Sequence, residues 1–338
     1  MPADVTAVPA KYPTQNMIDD TLVDGYDLAI YTNNIGGKDV LEYAVIDYET
    51  VSSRKGTGRQ GLFGIHSVSL NRRLISGGQH FLWPIGVDVL NDGNLVVIDS
   101  GESVANPGRV IRVDPNTGNQ TLIASGGDLY WPTGGTVADN ESGVPVATLG
   151  LVFVSDIGSV HAQTSAKNDV LRKIIQIDPG SGTQTVLFST TNDFAYNAPP
   201  ITNLYHPTGI EVDPGSGSLI IADSWSKTIW KLENTAGTFA TELEPISIDA
   251  DFLQPTHLAI QGTLASGFIF VTDGATVSPG DPYPAGTRLI HRVNPAGMVE
   301  SNSEIFNLDP MTKGISHGFL NEPRGIERVP VDPLTPAP

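Results

Sequence analysis

Five short apolar runs in this chain each end in an acid: Ala44-Val45-Ile46-Asp47, Val96-Val97-Ile98-Asp99, Phe153-Val154-Ser155-Asp156, Ile220-Ile221-Ala222-Asp223 and Phe270-Val271-Thr272-Asp273. A second element interleaves with them, Pro-x-Gly or a near variant opening another apolar run. Its instances are Pro84-Ile85-Gly86, Pro132-Thr133-Gly134, Pro207-Thr208-Gly209, Pro255-Thr256-His257 and Pro323-Arg324-Gly325. Self-similarity at this period marks a repeat architecture, in which stacked copies bury a continuous core.

Residues 84–125 show the unit most clearly. Strand a reads over 85–90, then the turn Asn91-Asp92-Gly93-Asn94, strand b over 95–99, strand c over 109–113, the turn Asp114-Pro115-Asn116-Thr117-Gly118 and strand d over 120–124. Proline presets φ, while Asn and Gly tolerate positive φ, as tight reversals require. Four antiparallel strands in succession make one propeller blade. A blade at 207–247 repeats the order, with strand d expected over 238–243. The first unit shows b, c and d over 43–47, 63–70 and 73–76 but no obvious strand a. Segment 325–329 from the far end of the chain is one candidate for it, and 27–33 is another. The expected fold is all-β: a β-propeller of four-stranded antiparallel blades, five repeats counted, its ring closed by N- and C-terminal strands. Six blades is the alternative, should 27–33 belong to a degenerate further unit. Residues 1–24 read as an extended segment, 25–329 as one propeller domain and 330–338 as a Pro-rich linker.

The repeats resemble the propeller group that includes NHL repeats, YWTD repeats and the gluconolactonase (senescence-marker-protein) family. Pro207-Thr208-Gly209-Ile210-Glu211-Val212-Asp213-Pro214, running into Leu219-Ile220-Ile221-Ala222-Asp223-Ser224, carries that likeness best. The resemblance implies the architecture and leaves function open, since the group holds hydrolases, lyases and pure binding modules. Its lactonases hold a divalent cation with a Glu, two Asn and an Asp, one Asn lying in a Pro-Asn-Gly motif. Here that motif reads Pro207-Thr208-Gly209, and a Thr hydroxyl is a poor substitute for an amide oxygen. The Glu-Gly-Pro-x-Trp motif of that branch is also missing. Related amidating lyases place a histidine after the repeat proline in several blades, where this chain has Ile85, Thr133, Thr208, Thr256 and Arg324.

A net charge of −18 with 19 basic residues opposes binding to phosphate backbones and anionic membranes. There is no cysteine, hence neither disulfide nor thiolate metal site. No apolar run reaches the roughly 18 residues of a membrane span. The histidines show no compact metal-ligand spacing. No cofactor is expected, with a divalent cation such as calcium as the exception to test.

Connections b–c and d–a share one face of a propeller, and here they are the long ones, over 48–61, 100–108, 157–169 and 274–287 for b–c and 191–206 and 307–322 for d–a. Elaborated loops on one face of a rigid scaffold are the usual place for binding. The residue before each repeat proline is Trp83, Trp131, His206, Gln254 or Glu322, with Tyr130 and Tyr205 preceding two of them. Together with His257 and Arg324 these form the expected ligand-binding rim, an aromatic and polar cup at the channel mouth. For Trp83 and Trp131 the other reading is packing between blades. The acids Asp47, Asp99, Asp156, Asp223 and Asp273 are expected to cap turns, because turn chemistry repeats whereas catalytic constellations break symmetry. The leading expectation is therefore a non-catalytic propeller, secreted or at the cell surface, binding a protein, glycan or small-molecule ligand. A metal-dependent hydrolase or lyase is the alternative, and a structural subunit of a surface assembly a further one.

Overall fold

The computed structural model describes residues 25–35, 38–48, 60–67, 69, 71–103, 105–138, 143–158, 171–190, 204–248, 252, 254–274 and 288–299. Blade 1 comprises β1 (Gly25–Ile35), β2 (Lys38–Tyr48), β3 (Gln60–His66) and β4 (Arg72–Gly77). Blade 2 comprises β5 (Pro84–Val89), β6 (Leu95–Asp99), β7 (Arg109–Val113) and β8 (Gln120–Ser125). Blade 3 has β9 (Pro132–Val137), β10 (Val152–Asp156), β11 (Lys173–Ile177) and β12 (Gln184–Ser189), with one 3₁₀ turn at Val146–Thr148. Blade 4 has β13 (Pro207–Val212), β14 (Leu219–Asp223) and β15 (Thr228–Leu232). A small hairpin follows, β16 (Asn234–Thr235) with β17 (Thr238–Phe239), before the blade's outer strand β18 (Glu244–Ile248). Blade 5 shows β19 (Pro255–Gln261), β20 (Phe268–Gly274) and β21 (Arg288–Val293). Every pairing is antiparallel and joins strands consecutive in the chain, except that β15 pairs with β18 across the inserted hairpin, and the innermost strands β1, β5, β9, β13 and β19 are neighbours in that order. This is the expected propeller, with five blades among the described residues.

Strand b is an unbroken apolar run because neighbouring sheets cover both of its faces. In β6, Leu95 and Val97 face the core shared with blade 1, while Val96 and Ile98 face blade 3. In β14, Leu219 and Ile221 pack toward blade 3, and Ile220 and Ala222 toward blade 5. All five residues of each of these strands are buried.

Two sequence expectations change. Of the candidates for the innermost strand of blade 1, β1 fills the place, so all four strands of that blade are contiguous; 325–329 lies outside the described residues. In blade 4 the outer strand is β18, because 234–239 closes on itself as a local hairpin around Gly237 (φ 91°). Local turn chemistry there competes with the blade edge and wins.

One irregularity recurs in every blade. Each innermost strand carries an extra residue opposite strand b, at Tyr26, Ile85, Thr133, Thr208 and Thr256. Such a bulge bends the strand and re-aims what precedes it. Blade 1 is tied to blade 2 by a buried cluster that no local pattern announces. The Glu42 carboxylate, fully buried, accepts from Tyr31 Oη, from Asn33 Nδ2 at 2.8 Å and from Arg73 Nη2 at 2.7 Å. Arg73 Nη1 also donates to the Pro115 carbonyl of blade 2 at 2.9 Å.

Candidate functional site

The rim is built from the buried acids upward. Leu82 and Trp83 N–H donate to Asp99 Oδ2 at 2.7 and 2.9 Å, and Tyr130 and Trp131 N–H to Asp156 Oδ2 at the same two distances. Tyr205 and His206 N–H bind the Asp223 carboxylate, and Gln254 N–H binds Asp273 Oδ1. The residue after each acid returns a bond to the same place: Ser100, Ile157 and Ser224 N–H donate to the carbonyls of Trp83, Trp131 and His206 at 2.8, 3.1 and 3.0 Å. In blades 2, 3 and 4 the residue before the repeat proline is thus clamped at both its N–H and its C=O. The acids act as turn caps, and that same bond fixes where the rim side chains start.

All four of these carboxylates are fully buried. Burial pushes Asp99, Asp156 and Asp223 above the ordinary 3.8, although the backbone donors pull the other way. The Asp156 carboxyl is raised to about 6. Asp273 has a side-chain partner as well as its backbone donor, His291 Nε2 at 3.0 Å, and that imidazole sits edge-on to Phe252.

Of the expected site residues, Trp83 is 39% exposed, and Trp131, His206 and Gln254 are half-buried at the same end of adjacent inner strands. Tyr130 is half-buried. Tyr205 is buried, and its carbonyl accepts from Arg172 Nε of the preceding blade at 2.9 Å. Glu322 and Arg324 lie outside the described residues. His257 lies deeper, lining a channel cavity of about 20 Å³ with Asp88, Thr136 and Glu211. That volume suits a water molecule and is far below a sugar ring. The Asp88 carboxylate there is engaged by Val137 N–H at 2.6 Å. Two of the threonines after the repeat proline bond from blade to blade. Thr133 Oγ1 donates to the Pro207 carbonyl at 2.6 Å and Thr208 Oγ1 to the Pro255 carbonyl at 2.9 Å. Among the described residues, no group of three or more His, Asp or Glu side chains is placed to hold a metal ion.

Sequence reasoning missed Trp225. Two residues beyond the acid, blades 2 and 3 carry Gly101 (φ 70°) and Gly158 (φ 68°), whose N–H groups donate to Asp99 Oδ1 and Asp156 Oδ1. A Cβ on Gly101 would lie 2.3 Å from the Asn106 carbonyl oxygen, so glycine is required there. Blade 4 has Trp225 at this position, the left-handed residue shifts to Lys227 (φ 55°), and the indole is 51% exposed. The break in the glycine pattern was the available signal.

No protein-family model and no curated protein matches the chain in sequence. Solved structures match in fold. A gluconolactonase of Xanthomonas campestris aligns at 14% identity and a TM-score of 0.52, over 82% of this chain and 76% of that one. A chain of a nidogen/laminin complex aligns at 14% identity and a TM-score of 0.52, over 81% and 78%. Regucalcin of Agrobacterium tumefaciens, described as a calcium-binding protein, aligns at 14% and 0.52, over 83% and 74%. These are propellers of the group that the repeats resemble, and at this identity the likeness is one of fold.

Proposed function

We infer that this protein is a non-catalytic binding propeller that recognises its partner through the b–c/d–a face. The observation that supports this reading is the rim itself. Trp83, Trp131, His206 and Gln254 stand on backbone clamped by buried carboxylates. A partly exposed aromatic on a pre-ordered backbone loses little entropy on binding, which is the property of interface anchors. A net charge of −18 suits a soluble protein working outside the cell, at or near a surface, and facing neutral or basic partners. The test is capture of ligands from protein and glycan arrays by the full chain, repeated with Trp83→Ala/Trp131→Ala. Loss of the captured ligand is expected, and undiminished capture rejects this face.

A further inference from the structure

We propose that segment 323–329 docks at the junction between blade 5 and blade 1, as the innermost strand of the sheet that joins them. The inference is independent of the binding-face reading above. Two observations meet in it: how that junction is packed, and which copy of the repeat motif is left over.

Each of the four junctions from blade 1 to blade 5 has a core of its own, drawing buried side chains from both blades. Among the described residues no such core joins blade 5 to blade 1. On that side of blade 1, Val45 and Ile65 cluster with Tyr43 of the same blade. In blade 5, Ile269 and Val271 face blade 4, so strand alternation turns Phe268 and Phe270 the other way. Ile290, paired to Thr272, shares that face. Phe270 and Ile290 are half-buried, whereas their counterparts Val96 and Val110 in blade 2 and Ile220 and Ile229 in blade 4 are buried. Part of the cover comes from each sheet's own side chains. The Arg292 guanidinium lies 4.6 Å from the Phe268 ring centre, and that of Arg72 lies 3.7 Å from the ring centre of Phe63 in blade 1. An apolar sheet face needs a second layer to bury it, and at the other junctions the next blade provides one.

The motif supplies the occupant. Strands β5, β9, β13 and β19 open with it, at Pro84, Pro132, Pro207 and Pro255, while β1 begins Gly25-Tyr26-Asp27 without it. The copy Pro323-Arg324-Gly325 therefore belongs to no described sheet. Blades follow one another in chain order, so a strand coming after blade 5 reaches the side of blade 5 turned away from blade 4. Its register fits that place. Pro323-Arg324-Gly325-Ile326-Glu327 repeats Pro207-Thr208-Gly209-Ile210-Glu211 except at Arg324. Ile210 is buried in the core shared with the preceding blade, as are Val87 and Leu258 in theirs. Ile326 accordingly falls against Phe270 and Ile290. The same register carries Glu322, the residue before the proline, to the rim position that follows Gln254.

The experiment is hydrogen–deuterium exchange on the full chain, with the free peptide of residues 318–333 as reference. The amides of Ile326, Glu327, Arg328 and Val329 are expected to exchange about 100-fold or more slowly than in the peptide, at every protein concentration. In Phe270→Ala that protection should fall about 10-fold, while the amides of β9 in blade 3 keep theirs. Ile326→Asp should do the same from the other side of the contact, and it serves if Phe270→Ala does not fold. Exchange at the peptide's rate overturns the proposal, as does protection indifferent to both variants. Protection that fades on dilution, with a change from dimer to monomer by light scattering, gives the junction to a second copy's segment and overturns the assignment to the chain's own.

Discussion

Blades 3 and 4 carry the same buried acid and use it differently. Asp156 gathers three backbone N–H groups, from Tyr130, Trp131 and Gly158, and its turn brings Gly158 close against the Leu171 backbone. Asp223 gathers four, from Tyr205, His206, Trp225 and Ser226, and its turn holds an indole out in solvent. Between them the cap is conserved as physics and the payload changes. In this propeller the repeating part holds the ring together, and blade 4 departs from it at an exposed turn.

The largest effect should come from the caps themselves. Asp223→Ala leaves four backbone donors without their acceptor and is expected to cost about 3–5 kcal/mol, against about 2–3 kcal/mol for Asp156→Ala. Urea unfolding of both variants measures this. If Asp156→Ala proves the costlier, the difference drawn between the two turns is wrong.

The pH dependence comes next. The folded-state pKa of Asp156, about 6, lies above its ordinary 3.8, so the native state binds the extra proton first. Its contribution is fully present below 3.8 and is lost as pH rises through about 6. The stability of wild type relative to Asp156→Asn should therefore increase by about 3 kcal/mol at most as pH falls from 7 to 4. Asp99 and Asp223 act in the same direction. A difference that is flat across this range, or that shrinks on acidification, would contradict the burial effect.

Smaller still are the joints between blades. Thr208→Val removes the bond from blade 4 to the Pro255 carbonyl, and Thr133→Val the bond from blade 3 to the Pro207 carbonyl. Each should cost about 1 kcal/mol, with fully additive losses placing the two joints in independent roles. Smallest is Trp225→Gly, which restores to blade 4 the glycine of blades 2 and 3. Stability should move by less than about 1 kcal/mol, because the indole is half in solvent. A loss of several kcal/mol would make Trp225 a structural residue and remove the contrast between the blades.

Much of this scaffold could be read before any coordinates. The b strands, the Pro-x-Gly openings and the capping acids are local signals, set by side-chain period and turn chemistry within a few residues. The same locality misplaced the outer strand of blade 4, where 238–243 has a strand-like pattern but folds back at Gly237. The rim residues were legible as positions, since each stands before a repeat proline. Their exposure was not: Tyr205 and His206 are adjacent in sequence, yet one is buried and the other stacks with Trp225.

What the chain's own pattern determined is the blade and its repetition, because burial on both faces demands unbroken apolar b strands and the reversals demand Gly, Pro and Asn. What only the tertiary structure decided is which groups meet across long separations. Arg73 reaches Glu42 and Pro115, Thr133 reaches Pro207, and Trp225 comes to rest on His206. Those contacts depend on how whole sheets are rotated and spaced around the axis. No short stretch of residues encodes that geometry, since it arises from the packing of all the blades at once.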